Sequence, residues 1–211
     1  MYVVDVTMAT AEPARRTQAD RRARTRTALV EAAARGLSRH GYSNLVLAQV
    51  AAEAGYTRGA LYHQFAGKED LALAVVAWVR QAWSAEVGVL LADTADPVAT
   101  LVAVARRHAV FCRRDIARVM TTLRIEFSDA DHPVAQAMRE VERRLLADCA
   151  RLVAAGRRSG TIPPGPPVAV TARGYFGALE GLVINVGGRG PHDVVLAERA
   201  VRGVLGLAQA R

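Results

Sequence analysis

Residues 41–71 read GYSNLVLAQVAAEAGYTRGALYHQFAGKEDL. Two short helical segments flank Ala54-Gly55-Tyr56-Thr57. Gly55 supplies the left-handed backbone that a tight turn between helices wants. Thr57 is placed to cap the second segment by accepting backbone N–H bonds. Val50, Ala51, Ala54, Leu61 and Phe65 form an apolar set that clamps the two segments together. This is the layout of a helix-turn-helix, whose second helix enters the major groove of DNA.

Around this stretch, helical spacing dominates and strand signals are scarce. Aromatics make up 5% of the chain, and no segment shows sustained alternation. A first helix is expected from near Asp20 to His40, with an inward stripe of Ala28, Leu29, Ala32, Ala33, Gly36 and Leu37. Short helices follow at 47–54 and 58–64, and a longer one from Lys68 to Leu91. Further helices fill 97–210, among them the stepped series Val134, Met138, Val141, Leu145, Cys149, Leu152. Gly and Pro clusters separate them. The expectation is an all-α chain of about nine helices. A flexible basic tail covers 1–18, a three-helix DNA-binding domain 19–66, and a helical ligand-binding and dimerisation domain 67–211.

Composition narrows the function. The 211 residues carry 28 Lys plus Arg against 20 Asp plus Glu, a net charge of +8. All but one of the basic residues are Arg, which together with the abundance of Ala reads as coding bias. The excess charge still points to nucleic acid or an anionic membrane surface. It is concentrated: from Arg15 to Lys68 there are ten basic and three acidic residues, leaving +1 for the rest. The longest apolar run, Leu71 to Val79, is too short to cross a bilayer, and residues 1–16 lack a secretory pattern. Two cysteines make no disulfide framework. A cytoplasmic protein with no membrane partner is expected.

The segment from the first helix to the start of the fourth resembles the DNA-binding domain of the tetracycline-repressor (TetR) family of transcriptional regulators. Gly41-Tyr42, Val50-Ala51, Ala54-Gly55, Thr57-Arg58-Gly59, Leu61-Tyr62, Phe65 and Lys68-Glu69 carry the resemblance. The run from Arg118 to Pro163 is faintly similar to the AcrR-like multidrug-efflux repressors. The chain departs from the pattern at Val46 and Gln49, where relatives carry Ser or Thr and an acid, so that capping box is missing. The Val46 backbone N–H is what remains there to meet a phosphate. Tyr56 stands where Val is more usual.

The residues support a DNA-reading role on their own terms. Arg58, Gly59, Tyr62 and His63 fall on the outer side of the second short helix. Arg58 suits guanine or phosphate, and small Gly59 allows close approach. Tyr62 and His63 are phosphate or sugar contacts in relatives. Lys68 begins the fourth helix, where backbone N–H groups favour an anion. Arg15, Arg16, Arg21, Arg22, Arg24 and Arg26 add phosphate or minor-groove contacts. The DNA-contacting set is therefore Arg22, Arg24, Val46, Thr57, Arg58, Gly59, Tyr62, His63 and Lys68.

The resemblance implies a ligand pocket among the middle helices and a dimer built from the last two. Trp78, Trp83, Phe111, Met120, Leu123, Phe127, Tyr175, Phe176 and Glu180 are the expected pocket residues, with Arg124, Glu126 and Asn185 as further polar candidates. Tyr175, Leu179, Leu182, Val186, Val194, Val201 and Leu205 are the expected interface, with Gly177 and Gly181 permitting close helix approach. The resemblance implies a homodimeric, ligand-responsive repressor of transcription. It would bind a palindromic double-stranded operator and be released by a small, largely apolar effector, with the fourth helix linking pocket to reading head. A nonspecific DNA-packaging or membrane-surface protein is the alternative. His108 and Cys112 share a helical face but are too few for a metal site. No metal, cofactor or catalytic residue is expected, since no nucleophile–base pair or phosphate loop appears.

Overall fold

A computed structural model of the protein describes residues 17–93, 95–128, 131–187 and 190–208. Among these, nine α-helices and one 3-10 helix occur and no strand. They are α1 (Gln18–His40), α2 (Leu47–Glu53), α3 (Arg58–Tyr62), α4 (Lys68–Glu86), α5 (Pro97–Phe111), α6 (Asp115–Glu126), α7 (Pro133–Arg158), α8 (Val168–Val186) and α9 (His192–Val204), with the 3-10 helix at Gly88–Ala92.

Local chemistry sets the ends of these helices. Thr17 caps α1: its hydroxyl accepts from Asp20 N, and the Asp20 carboxylate accepts from Thr17 N. This capping box starts the helix at Gln18, two residues before the point that apolar spacing suggests, with Thr17 as its cap. Residues 1–16 lie outside the described residues. Gly41, at φ 74°, ends the helix in a conformation that other residues avoid. Asp96 caps α5 by accepting from Ala99 N, and Pro97 takes the first helical position, where its missing N–H costs nothing. His132 and Pro133 open α7 in the same way. The expected fourth helix to Leu91 stops at Glu86, and its remainder tightens into the 3-10 turn.

Two apolar cores result. The first joins α1–α4 to Val119 and Leu123 of α6 and Val134 and Met138 of α7. Leu29, Leu37, Leu61, Phe65 and Leu71 are fully buried there. Truncating such a Leu or Phe to Ala costs about 2–5 kcal/mol. The second core joins the 3-10 helix, α5, the distal half of α7, α8 and α9, around Leu101, Leu152, Tyr175 and Val201. The helix-turn-helix therefore has no core of its own: α6 and α7 close its underside. Ion pairs tie α9 to α5 and its flank, Arg113 to Asp193 and Arg106 to Glu198, each at 2.9 Å.

Candidate functional site

The helix-turn-helix is built as the sequence suggests. Gly55 sits at φ 77°, and the Thr57 hydroxyl accepts from Ala60 N at 3.1 Å to cap α3. Leu61 points inward, while Arg58, Gly59, Tyr62 and His63 face solvent. The Arg58 guanidinium lies 5.4 Å from the Tyr62 ring centroid and donates to its hydroxyl at 3.3 Å. A Cβ on Gly59 would meet nothing nearer than the Thr57 hydroxyl at 3.8 Å, so packing within the chain does not require glycine there. Val46 caps α2 without a side-chain hydrogen bond, as its apolar side chain dictates, and stays exposed.

The basic stripe on α1 divides in two. Arg21, Arg22 and Arg24 are exposed. Arg26, also exposed, lies over the Phe65 ring at 4.3 Å and donates to Gln64 O, fastening α1 to the end of α3. Arg35 and Arg39 both pair with Glu53 on α2, and these pairs hold the Glu53 carboxyl below its usual range. Arg15 and Arg16 lie outside the described residues.

Lys68 reaches backward. Its Nζ donates to Ser43 O at 2.8 Å and stands 4.9 Å from the Tyr42 ring. The same turn is gripped from below by Glu126, the last residue of α6. Its carboxylate accepts from Tyr42 N, Ser43 N and the Ser43 hydroxyl. Burial opposes the charge of Glu126, but these hydrogen bonds and Lys68 outweigh it and hold the carboxyl below its ordinary range. Phe127, His132 and Tyr42 form an aromatic cluster beside this grip, with the Phe127 and His132 rings stacked at 4.6 Å.

A cavity of about 620 Å³ opens between α4, the 3-10 helix, α5, α6, α7 and α8. Trp83, Phe111, Met120, Phe176 and Glu180 line it. The other expected pocket residues are elsewhere. Trp78 and Leu123 pack into the first core, and Phe127 belongs to the aromatic cluster under the helix-turn-helix. Tyr175 is buried in the second core, where its hydroxyl donates to Leu101 O at 2.7 Å. Each is large and apolar, but helix phase turns it away from the cavity.

Polar lining residues that apolar spacing did not single out include Arg80, Ser84, His108, Thr121, Arg144 and Asp148. Trp83 Nε1 donates to His108 Nδ1 at 2.9 Å, and His108 Nε2 lies 3.4 Å from Cys112 Sγ. Burial pushes His108 down to about 4 and Cys112 up to about 12, so both are neutral near pH 7. A thiol so placed is a poor nucleophile. Cys149 is likewise buried and pushed up to about 12. Among the described residues no group of three or more metal-ligating side chains gathers around His108 and Cys112 or elsewhere.

Arg124 pairs with Glu180 at 3.4 Å and lies 4.9 Å from the Phe176 ring centroid. Burial raises the Glu180 carboxyl above its usual range despite Arg124, and Glu142 pushes it the same way.

The residues expected at a dimer interface split by burial. Tyr175, Leu179, Val201 and Leu205 are buried within the chain, because α8 and α9 turn these faces toward α5 and α7. Leu182, Val186 and Val194 are half-buried. The apolar side chains that α8 and α9 leave to solvent are Val170 (56% exposed), Ile184 (60%), Val195 (50%) and Leu196 (37%). Gly177, Gly181 and Gly203 have open space where a Cβ would stand.

The comparisons with known proteins separate the two halves of the chain. Residues 29–75 match the family model of the bacterial regulatory proteins of the tetR family. The HTH-type transcriptional regulator CymR of Pseudomonas putida is 42% identical over 67 residues, 32% of this chain and 33% of that protein. The match thus spans about a third of that relative's length. Over the whole fold, the structure of AibR in complex with isovaleryl coenzyme A and operator DNA superposes with a TM-score of 0.75 at 19% identity, covering 87% of this chain and 100% of that one. A TetR-family transcriptional regulator from Streptomyces coelicolor gives 0.73 at 23% identity, covering 87% and 95%. FadR of Bacillus subtilis, in complex with stearoyl-CoA, gives 0.72 at 18% identity, covering 87% and 99%. Residues 29–75 thus match the tetR family of bacterial regulatory proteins, and the described helices together take the fold of these solved structures.

Proposed function

We propose that the protein is a ligand-responsive transcriptional repressor that binds a palindromic operator as a homodimer and releases it when an effector enters the cavity. The observation that carries this reading is the junction made by α6. This helix lines the cavity with Met120 and Arg124 and, two residues on, grips the turn before α2 through Glu126. A ligand that favours one position of α6 shifts the population of helix-turn-helix orientations. The coupling is reciprocal: DNA weakens the ligand as much as the ligand weakens DNA. α4 runs in parallel with this route, from Lys68 at the turn to Trp83 in the cavity wall.

In this reading α3 enters the major groove with Arg58, Gly59, Tyr62 and His63 toward DNA, and Thr57, Val46 and Lys68 lie at the phosphates. Arg22 and Arg24 on α1 add sequence-independent attraction. One helix-turn-helix reads few base pairs, so two copies are needed for useful specificity. The faces of α8 and α9 that carry Val170, Ile184, Val195 and Leu196 supply the contact, bordered by Leu182, Val186 and Val194. The structures of AibR with operator DNA and isovaleryl coenzyme A and of FadR with stearoyl-CoA support a fold that couples these partners. The chain acts by binding rather than turnover, in the cytoplasm where its DNA lies.

The test is fluorescence anisotropy on the DNA upstream of the protein's own gene and on a scrambled duplex at one fixed salt concentration. A repressor prefers its operator by about a thousandfold or more. Equal affinity for both duplexes identifies a nonspecific DNA binder and overturns the reading.

A further inference from the structure

The cavity has a distinctive charge arrangement. Its walls are mostly apolar, but three arginines line it, Arg80, Arg124 and Arg144, against two acids, Glu180 and Asp148. Asp148 is engaged by Arg151 and Arg144 by Glu140. Arg80 is exposed at the rim. Arg124 has one ion pair among the described residues, the 3.4 Å contact with Glu180, which is too long for a good charge-assisted hydrogen bond. A guanidinium carries five donors in a planar fork that fits a carboxylate two bonds at a time. Those of Arg124 are largely uncommitted, in a cavity wall beside Phe176.

We infer that the cavity takes an amphipathic organic anion, whose carboxylate sits on Arg124 in place of Glu180 and whose apolar tail lies along Trp83, Phe111 and Phe176. This rests on the effector-binding reading above. A cationic ligand is disfavoured because the Arg124 guanidinium already occupies the place between Glu180 and the Phe176 ring. A neutral apolar ligand leaves the donors of Arg124 unmet. Displacing Glu180 carries little penalty. The groups that face it are Arg124 from α6, Glu142 from α7, and His108 and Cys112 from α5, and burial already favours its protonated form. The arriving carboxylate therefore exchanges a single 3.4 Å contact for a two-bonded one, and the burial that raises the Glu180 carboxyl eases the loss of its partner.

The experiment is calorimetric titration of the full chain with sodium decanoate, 1-decanol, decyltrimethylammonium bromide and decanoyl-CoA, for the parent protein and for Glu180→Gln and Arg124→Gln. Decanoate is expected to bind about tenfold or more tighter than decanol, an advantage that Arg124→Gln removes. Glu180→Gln frees Arg124 and is expected to tighten decanoate several-fold with decanol unchanged. If Arg124→Gln does not fold, Glu180→Gln carries the test alone. The inference is overturned by any of four results: no decanoate binding, equal binding of decanol, preferred binding of the ammonium compound, or weaker decanoate binding in Glu180→Gln. Binding of decanoyl-CoA without decanoate moves the anion to the phosphates and overturns it as well. These titrations contain no DNA. Decanoate that binds as expected but leaves operator affinity unchanged upholds the site and overturns the regulatory coupling. Decanoate that fails to bind a sequence-specific DNA binder overturns the site and leaves the DNA-binding reading standing.

Discussion

Glu126 and Ser43 stand 83 residues apart in sequence and meet at two points, the carboxylate accepting from the Ser43 N–H at 2.6 Å and from its hydroxyl. This pairing locks the end of α6 to the turn in front of α2. It also explains Gly41, where a Cβ would lie 2.8 Å from Glu126 Oε2 at a backbone φ of 74°. Glu126→Gln keeps the shape and removes the charge. It is expected to lower stability by about 1–3 kcal/mol, read as a shift in the urea midpoint with unchanged slope. Because the folded carboxyl titrates below its usual value, the contribution of Glu126 is present above pH about 4.5 and is lost as pH falls through the lower folded value. An unchanged midpoint shows that the grip contributes nothing.

Tyr62→Ala removes an exposed side chain and is expected to weaken operator binding about tenfold, ~1.4 kcal/mol, with the thermal midpoint unchanged. Gly59→Ala has room within the chain, so any loss of DNA affinity reports the space between α3 and the groove. Lys68→Ala differs, since it removes both the proposed phosphate partner and the bond to Ser43 O, and is expected to lower affinity and stability together. Anisotropy and thermal melts, run side by side, separate the three outcomes.

The two faces of α8 and α9 predict opposite phenotypes. Ile184→Glu and Val195→Glu place charge on exposed positions and are expected to give a folded monomer in light scattering. Leu179→Glu and Val201→Glu place it in the second core, where an unpaired buried charge costs several kcal/mol, and are expected to unfold the chain. A dimer that survives Ile184→Glu and Val195→Glu together moves the interface elsewhere.

His108 gives a pH signature. Half-buried in the cavity wall and neutral in the folded chain, it titrates near 4, whereas the unfolded chain takes up its proton near 6.5. Its stabilising contribution is complete above pH 6.5 and falls as the pH drops toward 4, by up to ~1.4 kcal/mol per pH unit for one proton. Urea unfolding of the parent and His108→Phe proteins at pH 7 and pH 5 checks this. The substitution is expected to flatten the profile, and identical slopes count against a neutral imidazole at His108.

The sequence alone determined the all-α class and the helix-turn-helix, because both are written in local chemistry. Gly55, Thr57, Gly41, Asp96 and Pro97 act on their own turn of backbone, and the 3.6-residue spacing of Leu29, Ala33, Gly36 and Leu37 marks a buried face whatever lies opposite. The charge concentration between Arg15 and Lys68 was equally legible. Only the tertiary structure decided what each large apolar residue faces. Trp83 and Phe176 reach the cavity while Trp78, Leu123 and Tyr175 fill cores. Periodicity gives the phase of a stripe but not the identity of its neighbour. The same limit hid the pairings of Glu126 with Ser43, Arg124 with Glu180 and Trp83 with His108. Each joins elements distant in sequence, and a polar side chain that bonds across such a distance leaves no local pattern. Residues 41–71 therefore mark the helix-turn-helix in the sequence, while the core that holds it follows from how α1, α6 and α7 pack against it.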